Sequence, residues 1–400
     1  MRGHCPYNVG ALVGRAIAHL FRSKLDRCGK RAAIYAHGFA YDFGWLLSQG
    51  YHMMAVGGEL KTMVGMIAAI LVGAAAYLAA SVFAPLALAL FIIAMVWPLQ
   101  RWLQSRIPKF GALVITLLIT VAVCLSFTTL AIWGFGRVGR LLVTDAARFQ
   151  SLYDNAVSWL EVHGISISGV WTEHFNVAWM LRAIQQVTGR VNTTLTFWIV
   201  TLVYVILGLL EVDDIRRKIQ SLDNSEAARV LTDGSVAIAA KFRKYMWVRT
   251  QMSIMTGLLV WAFAWMTGLQ LAAEWGVIAF ALNYIPLIGP FIATVLPTVI
   301  AAAQFGSWEA VLGIFVCLNI IQFVVGSNIE PRVAGTTLSI SPTIVLFSVF
   351  LWTFLWGLFG AFIGVPITLA ILTYCEQHPA SRWLARLLGA PLRALSDSKT

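Results

Sequence analysis

The sequence predicts an all-α polytopic membrane protein: about eight transmembrane helices, or six plus two re-entrant hairpins, with Pro/Gly-broken segments and an exposed amphipathic helical arm. Three observations predict it. Of 400 residues 59% are hydrophobic and 12% charged, with mean hydropathy +0.78, whereas a soluble domain carries about 25% charged residues. The chain also contains uncharged runs at 62–100, 110–136, 191–210, 250–273, 275–308, 310–329 and 333–375, and about 20 apolar residues suffice to cross a bilayer. Between 251 and 375 only Glu274, Glu309, Glu330 and Arg332 carry charge. The five cysteines are odd in number and lack CxxC spacing, which argues against a disulfide scaffold or a thiolate metal site.

Taken in order, residues 1–61 form an N-terminal cytoplasmic extension with no clean period and no signal-peptide order; Met53, Met54 and Met63 each offer a later start. Residues 62–136 are the first membrane part. Its opening run of 39 is twice what one crossing needs, so it reads as a tight pair turning near Ser81–Pro85. Residues 137–190 form the exposed arm, in which Val138, Leu141, Leu142, Phe149, Leu152, Trp159 and Leu160 recur at helical spacing and Asp145 intrudes on the stripe. That stripe is covered either by another subunit or by the returning stretch that carries Val177, Leu181, Ile184, Val187 and Val191. A membrane helix at 191–210 leads to a cytoplasmic helical segment at 211–250, whose basic end suits anionic lipid. Residues 251–375 are a second membrane part with broken helices, and 376–400 a cytoplasmic tail.

Orientation follows from Lys and Arg, which favour the cytoplasmic side. Residues 1–61 hold eight, 101–109 three, 211–250 eight and 376–400 four, against five in 136–192 plus Arg332. Both termini are therefore predicted to be cytoplasmic. The stretches 275–308 and 333–375 each read as one bent helix, two short helices or a re-entrant hairpin; single bent helices give eight crossings, the preferred count, and re-entrant hairpins give six plus two half-spans. The charge bias is the same in both cases.

Catalytic motifs are wanting. Gly134-Phe-Gly-Arg-Val-Gly139 matches GxGxxG but follows an apolar helix rather than a strand, so it is a coincidence. No Walker loop, HExxH or paired carboxylates occur, all seven histidines lie outside the apolar runs, and no enzyme, metal or cofactor is expected. Nucleic acid is excluded for want of a base-stacking platform.

Chemistry concentrates instead at membrane depth. Asn283-Tyr-Ile-Pro286-Leu-Ile-Gly289-Pro290 interrupts a helix inside an apolar run, because proline lacks a donor and glycine permits unusual dihedrals. Freed main-chain groups cannot face lipid and must line a buried or watered cavity. Gly357, Gly360, Gly364 and Pro366 mark a second break with close helix approach. Two such interrupted segments point to a transport site. Asn319, Gln322 and Gly326 share a helix face ahead of Asn328, and these amides could hydrogen-bond a polar solute. Glu330 and Arg332 are either mutually paired or interfacial, as a gate or coupling pair; Glu274 and Glu309 read as interfacial.

These residues resemble the AI-2E (autoinducer-2 exporter) transporter family. Its Ile-Pro-x-Ile-Gly-Pro element matches Ile285–Pro290, and its Asn-x-x-Pro-x-x-x-Gly element matches Asn328 through Pro331 to Gly335. Its closing pattern matches Pro342, Gly357, Gly360 and Pro366, and Lys241–Tyr245 resembles its basic, tyrosine-bearing lead into a membrane helix. The similarity covers roughly residues 62–375 and is strongest after 240. The resemblance implies a bacterial inner-membrane secondary transporter that assembles with itself, pentamers being known in the family. Some members export autoinducer-2 and others exchange sodium or lithium for protons. Three functions are therefore carried forward: an exporter of a small polar solute, a cation/proton antiporter centred on Glu330, and a non-transporting scaffold acting through the arm.

Overall fold

A computed structural model describes residues 58–163, 191–222, 225–334 and 340–377, with a few isolated positions up to 388. Most of the N-terminal extension, the returning half of the arm and most of the tail lie outside these residues. Contacts divide the chain into two units, 1–78 and 79–400. Within the first, α1 is an apolar helix at Gly58–Leu78.

The second unit opens with α2 (Ala80–Gln104). The interruption before it falls at Ala79, and not at Ser81–Pro85 as the sequence suggested; Val82 and Phe83 already donate to the Ala79 carbonyl. Pro85 and Pro98 both sit inside α2. Helix α3 (Lys109–Thr144) runs for 36 residues, about 54 Å, and so continues beyond a bilayer thickness as expected of the arm. Asp145, the residue that spoiled the apolar stripe, is where the helix breaks before α4 (Ala146–Val162). The inner part of the stripe is covered within the described residues, Trp159 is exposed there, and the returning stretch lies outside them. Val138, Leu141, Leu142 and Phe149 pack into a core with Val260, Leu269, Trp275 and Ile278 of the same chain.

Helices α5 (Val191–Gln220) and α6 (Ser225–Met266) each run unbroken from the charged segment into apolar sequence. The segment 211–250 is thus a helix pair whose members are extensions of membrane helices. Short α7 (Ala272–Leu282), α8 (Ile288–Phe305) and α9 (Trp308–Phe323) follow. A π-helical turn at Val324–Ile329 links α9 to α10 (Glu330–Ala334). Pro331 explains that turn: its ring would clash with the carbonyl four residues back, and a widened turn relieves the clash.

Among the described residues six stretches are long and apolar enough to cross a membrane: Ala80–Gln104, Lys109–Thr144, Thr196–Gln220, Ile288–Phe305, Trp308–Val333 and Pro342–Gln377. Two of these do not run straight through alone. The stretch Pro342–Gln377, α11, carries non-helical dihedrals at Gly357 (φ 64°, ψ −143°). Ser348 Oγ donates to the Gly364 carbonyl at 2.8 Å and lies 2.6 Å from Thr368 Oγ1, while Trp352 Nε1 donates to the same hydroxyl at 3.1 Å. Residues twenty apart along a straight helix are about 30 Å apart, so the chain doubles back at Gly357. Helices α7 and α8 do the same. Gln304, near the end of α8, donates to Gly268 O at 2.7 Å and accepts from Gln270 N–H at 2.8 Å, both just ahead of α7. Near the turn, a Cβ on Gly289 would sit 1.8 Å from Leu282 O. Both proline- and glycine-broken stretches are therefore helical hairpins of two limbs, and the single bent helices that gave eight crossings are ruled out.

The hairpins enter from opposite ends. The first opens where Arg148 of α4 donates to Gln304 O, and the second where Lys241 meets Glu376 at 2.7 Å. Long α6 is the element against which both are held. Gly257 of α6 and Gly276 of α7 pack reciprocally, each Cβ position within 2.9 Å of the other's carbonyl oxygen, the close approach small residues allow. In the full-length protein with its native cysteines replaced, Ser348→Cys and Thr368→Cys are expected to cross-link within one chain under mild oxidation. A failure to cross-link in folded protein would refute the second hairpin.

Candidate functional site

The two hairpin turns meet. Tyr284 and Ile285 stand at the first turn. The Tyr284 ring lies 5.6 Å from that of Phe362, just beyond the second turn, and 5.5 Å from Phe127 midway along α3. Ile285 shares a buried cluster with Val349, Ala361, Ile363 and Val365 of the second hairpin and with Leu88, Phe91, Phe242 and Tyr245. The meeting surface is aromatic and apolar.

The first turn is held under strain. Leu287 adopts φ 66°, ψ −53°, and Ile288 N–H donates to Pro286 O at 2.7 Å. That is a γ-turn of the rare, strained hand, in a residue with a Cβ. Ile285 N–H donates to Leu282 O and Gly289 N–H to Ile285 O. The sequence expected the break to release main-chain groups into a cavity; these donors are instead bonded inside the turn. Pro290 is the third residue of α8, where a missing N–H costs no helical bond. Gly360 mirrors Gly289: its Cβ position lies 1.8 Å from Trp352 O, and that of Gly364 3.0 Å from the Trp352 side chain. Pro366 lies buried within the returning limb.

Beside the first turn, α6 supplies hydroxyls at successive turns of one face. Asn283 is buried and its Nδ2 donates to Ser253 Oγ at 3.3 Å; Tyr284 OH donates to Thr250 Oγ1 at 3.1 Å. Thr256, one turn further, is fully buried with no hydrogen bond to its Oγ1. Sequence reasoning missed Thr250, Ser253 and Thr256, although their spacing of three within an apolar run was visible. It likewise missed the Ser348–Trp352–Thr368 network inside the second hairpin.

The remaining candidates divide. Gln322 is half-buried, and its Nε2 is buried without a partner. Asn319 and Asn328 are exposed on the single chain, as is Gly326, and the Asn319 amide donates to Phe315 O of its own helix. They do not converge with Asn283. Glu330 pairs with Arg249 of α6 at 3.2 Å, not with Arg332, which is exposed; residues two apart on a helix do not face each other. Glu309 is exposed, as an interfacial residue would be. Glu274 departs from that expectation: it is 5% exposed, in the first turn of α7, and paired with Arg137 at 3.3 Å. At Gly134, from the false dinucleotide motif, a Cβ would sit 3.3 Å from the Ile278 side chain, so the glycine admits α3 to this region.

Comparison with known proteins bears on this architecture. The family described as AI-2E family transporter matches residues 66–379. The chain belongs to the AI-2E transporter family. It is accordingly a multi-pass membrane transporter rather than an enzyme. This AI-2E protein is 30% identical to the AI-2 transport protein TqsA of Escherichia coli (strain K12) over 345 residues, 82% of this chain and 95% of TqsA. It is 34% identical to YhhT of the same organism over 36% of this chain and 41% of YhhT. It is 24% identical to YrrI of Bacillus subtilis (strain 168) over 74% and 86% respectively.

Substituting the two turn glycines tests the hairpin contacts. Gly289→Ala and Gly360→Ala each drive a methyl group into a carbonyl and are expected to destabilise by about 1–3 kcal/mol, as overpacking does. Gly313→Ala, whose Cβ position is open, is the neutral or stabilising control. Thermal midpoints of the detergent-solubilised protein measure both.

Proposed function

We propose that this AI-2E protein exports a small, uncharged, hydroxyl-rich solute of the autoinducer-2 kind across the bacterial inner membrane, through a site where the two hairpin turns meet. The observation that carries the reading is the contact of Tyr284 and Ile285 with Phe362, Ala361 and Ile363 between hairpins that open at opposite ends. Irregular backbone at membrane depth is a feature of transporter sites. One hairpin facing each side gives two gates over one position. The packed state is the closed one, and passage requires the turns to part.

The side chains nearest the meeting point favour a neutral ligand. Asn283, Ser253, Thr250 and Tyr284 offer hydroxyls and an amide, and Thr256 Oγ1 has bonding capacity to spare. Among the described residues no carboxylate bonds to that group, and Glu274 and Glu330 are each matched by an arginine. Glu330 with Arg249 fits a structural or gating tie better than a carrier of sodium or lithium exchange. The outward face bearing Asn319, Gly326 and Asn328 suits contact with another copy of the chain, because amides directed at lipid gain from a protein neighbour. Charge bias supports cytoplasmic termini.

Two measurements test the proposal. In a cysteine-free background, Tyr284→Cys with Phe362→Cys is expected to abolish autoinducer-2 efflux from proteoliposomes on oxidation and to restore it on reduction; efflux through cross-linked protein would remove the turns from the gate. Glu330→Gln is expected to leave vesicles without any sodium- or lithium-dependent proton flux, as wild type is; such a flux in wild type, lost in the variant, would favour the antiporter.

A further inference from the structure

A groove distant from the hairpin turns lies where three helix ends come together. The end of α2 supplies Gln100 and Gln104, the start of α3 supplies Lys109, Phe110 and Leu113, and the end of α5 supplies Leu209, Leu210, Asp213, Asp214 and Arg217. Its volume is about 260 Å³.

Three features bear on what it holds. It sits where apolar helix surface gives way to charge: Phe110 and Leu210 are exposed apolar neighbours of Lys109 and Asp213. Its charges balance, with two cations (Lys109, Arg217) against two carboxylates (Asp213, Asp214), of which Arg217 and Asp214 are bonded to each other. Its floor is Gln100, 1% exposed, whose Oε1 is buried without a hydrogen-bond partner. An unmatched buried acceptor is costly unless something donates to it.

We propose that this groove binds one zwitterionic phospholipid with a primary-ammonium headgroup, a phosphoethanolamine lipid. Lys109 meets the phosphate, and Arg217, anchored by Asp214 through one terminal nitrogen, adds its remaining N–H groups. Asp213, the Asp214 oxygen that Arg217 leaves over, and the Gln100 carbonyl accept from the lipid's ammonium, which carries three donors as a lysine does. Leu113, Leu209, Leu210 and Phe110 take the start of the acyl chains. The phosphoethanolamine group has about eight non-hydrogen atoms, and the groove holds roughly the volume of eight or nine waters. An anionic headgroup would leave the two aspartates opposed to it. A choline headgroup has no N–H to give Gln100.

The specificity distinguishes this site from the general attraction of basic segments for anionic lipid, and it does not rest on the solute proposed above. The test is native mass spectrometry of the full-length protein offered equimolar phosphatidylethanolamine, phosphatidylcholine and phosphatidylglycerol. Wild type is expected to retain the ethanolamine lipid several-fold over both others. Asp213→Asn with Asp214→Asn is expected to lose that preference and gain phosphatidylglycerol. The same lipids added to wild type in detergent give a check that needs no variant: the ethanolamine lipid is expected to raise the thermal midpoint most, and soluble phosphoethanolamine far less. Equal retention of the three lipids, a preference for phosphatidylglycerol in wild type, or an equal shift from the soluble headgroup would each overturn the proposal.

Discussion

A helix that stops within a bilayer leaves main-chain donors and acceptors that hydrocarbon cannot satisfy. That constraint governs the second half of this protein. The two interrupted segments occur only as hairpins, their turns facing other protein and their limbs paired with each other. At the first turn the strained γ-turn at Leu287 and the bonds of Ile285 and Gly289 keep the donors occupied. At the second, the hydroxyls of Ser348 and Thr368 and the Trp352 indole tie the limbs together. Glycine is required where a limb's backbone must pass a carbonyl, as at Gly289 and Gly360.

Around this pair, α6 acts as the common reference. It carries Lys241, which binds the far end of the second hairpin, Arg249, which binds Glu330 beyond the π-helical turn, and Gly257, against which α7 lies. The first hairpin is fixed at its open end by Arg137–Glu274 and by Gln304. Buried ion pairs stabilise little in net terms, but breaking one leaves an uncompensated charge. Ion pairs therefore occur at the open ends of the hairpins, and the described contacts between their turns are apolar and aromatic. Such a surface can separate without stranding a charge, which is the property a gate between two hairpins needs.

Much of this was legible in the sequence, and particular residues explain where legibility stopped. Pro286, Gly289, Pro290, Gly357, Gly360 and Pro366 announced two breaks because their backbone effects are local. Asn283 was identified as a polar residue inside an apolar run and proved to be buried beside the turn. Asn319 and Asn328 looked identical by that criterion, yet face outward, because amide composition does not say which side of a helix meets the protein interior. Glu330 was given the wrong partner since its nearest cation in sequence is Arg332, whereas helix geometry and α6 supply Arg249. Glu274 looked interfacial at a run boundary, but its arginine arrives from α3.

By itself the sequence determined the solvent. Charge scarcity and run length leave only a bilayer, and the order of breaks, arms and charged loops follows from the same arithmetic. Whether a broken stretch bends onward or returns was decided only in three dimensions, because a proline removes a hydrogen bond without specifying the direction of the chain after it. That direction is fixed by long-range pairs such as Ser348 with Gly364 and Gln304 with Gly268, and no local pattern encodes them.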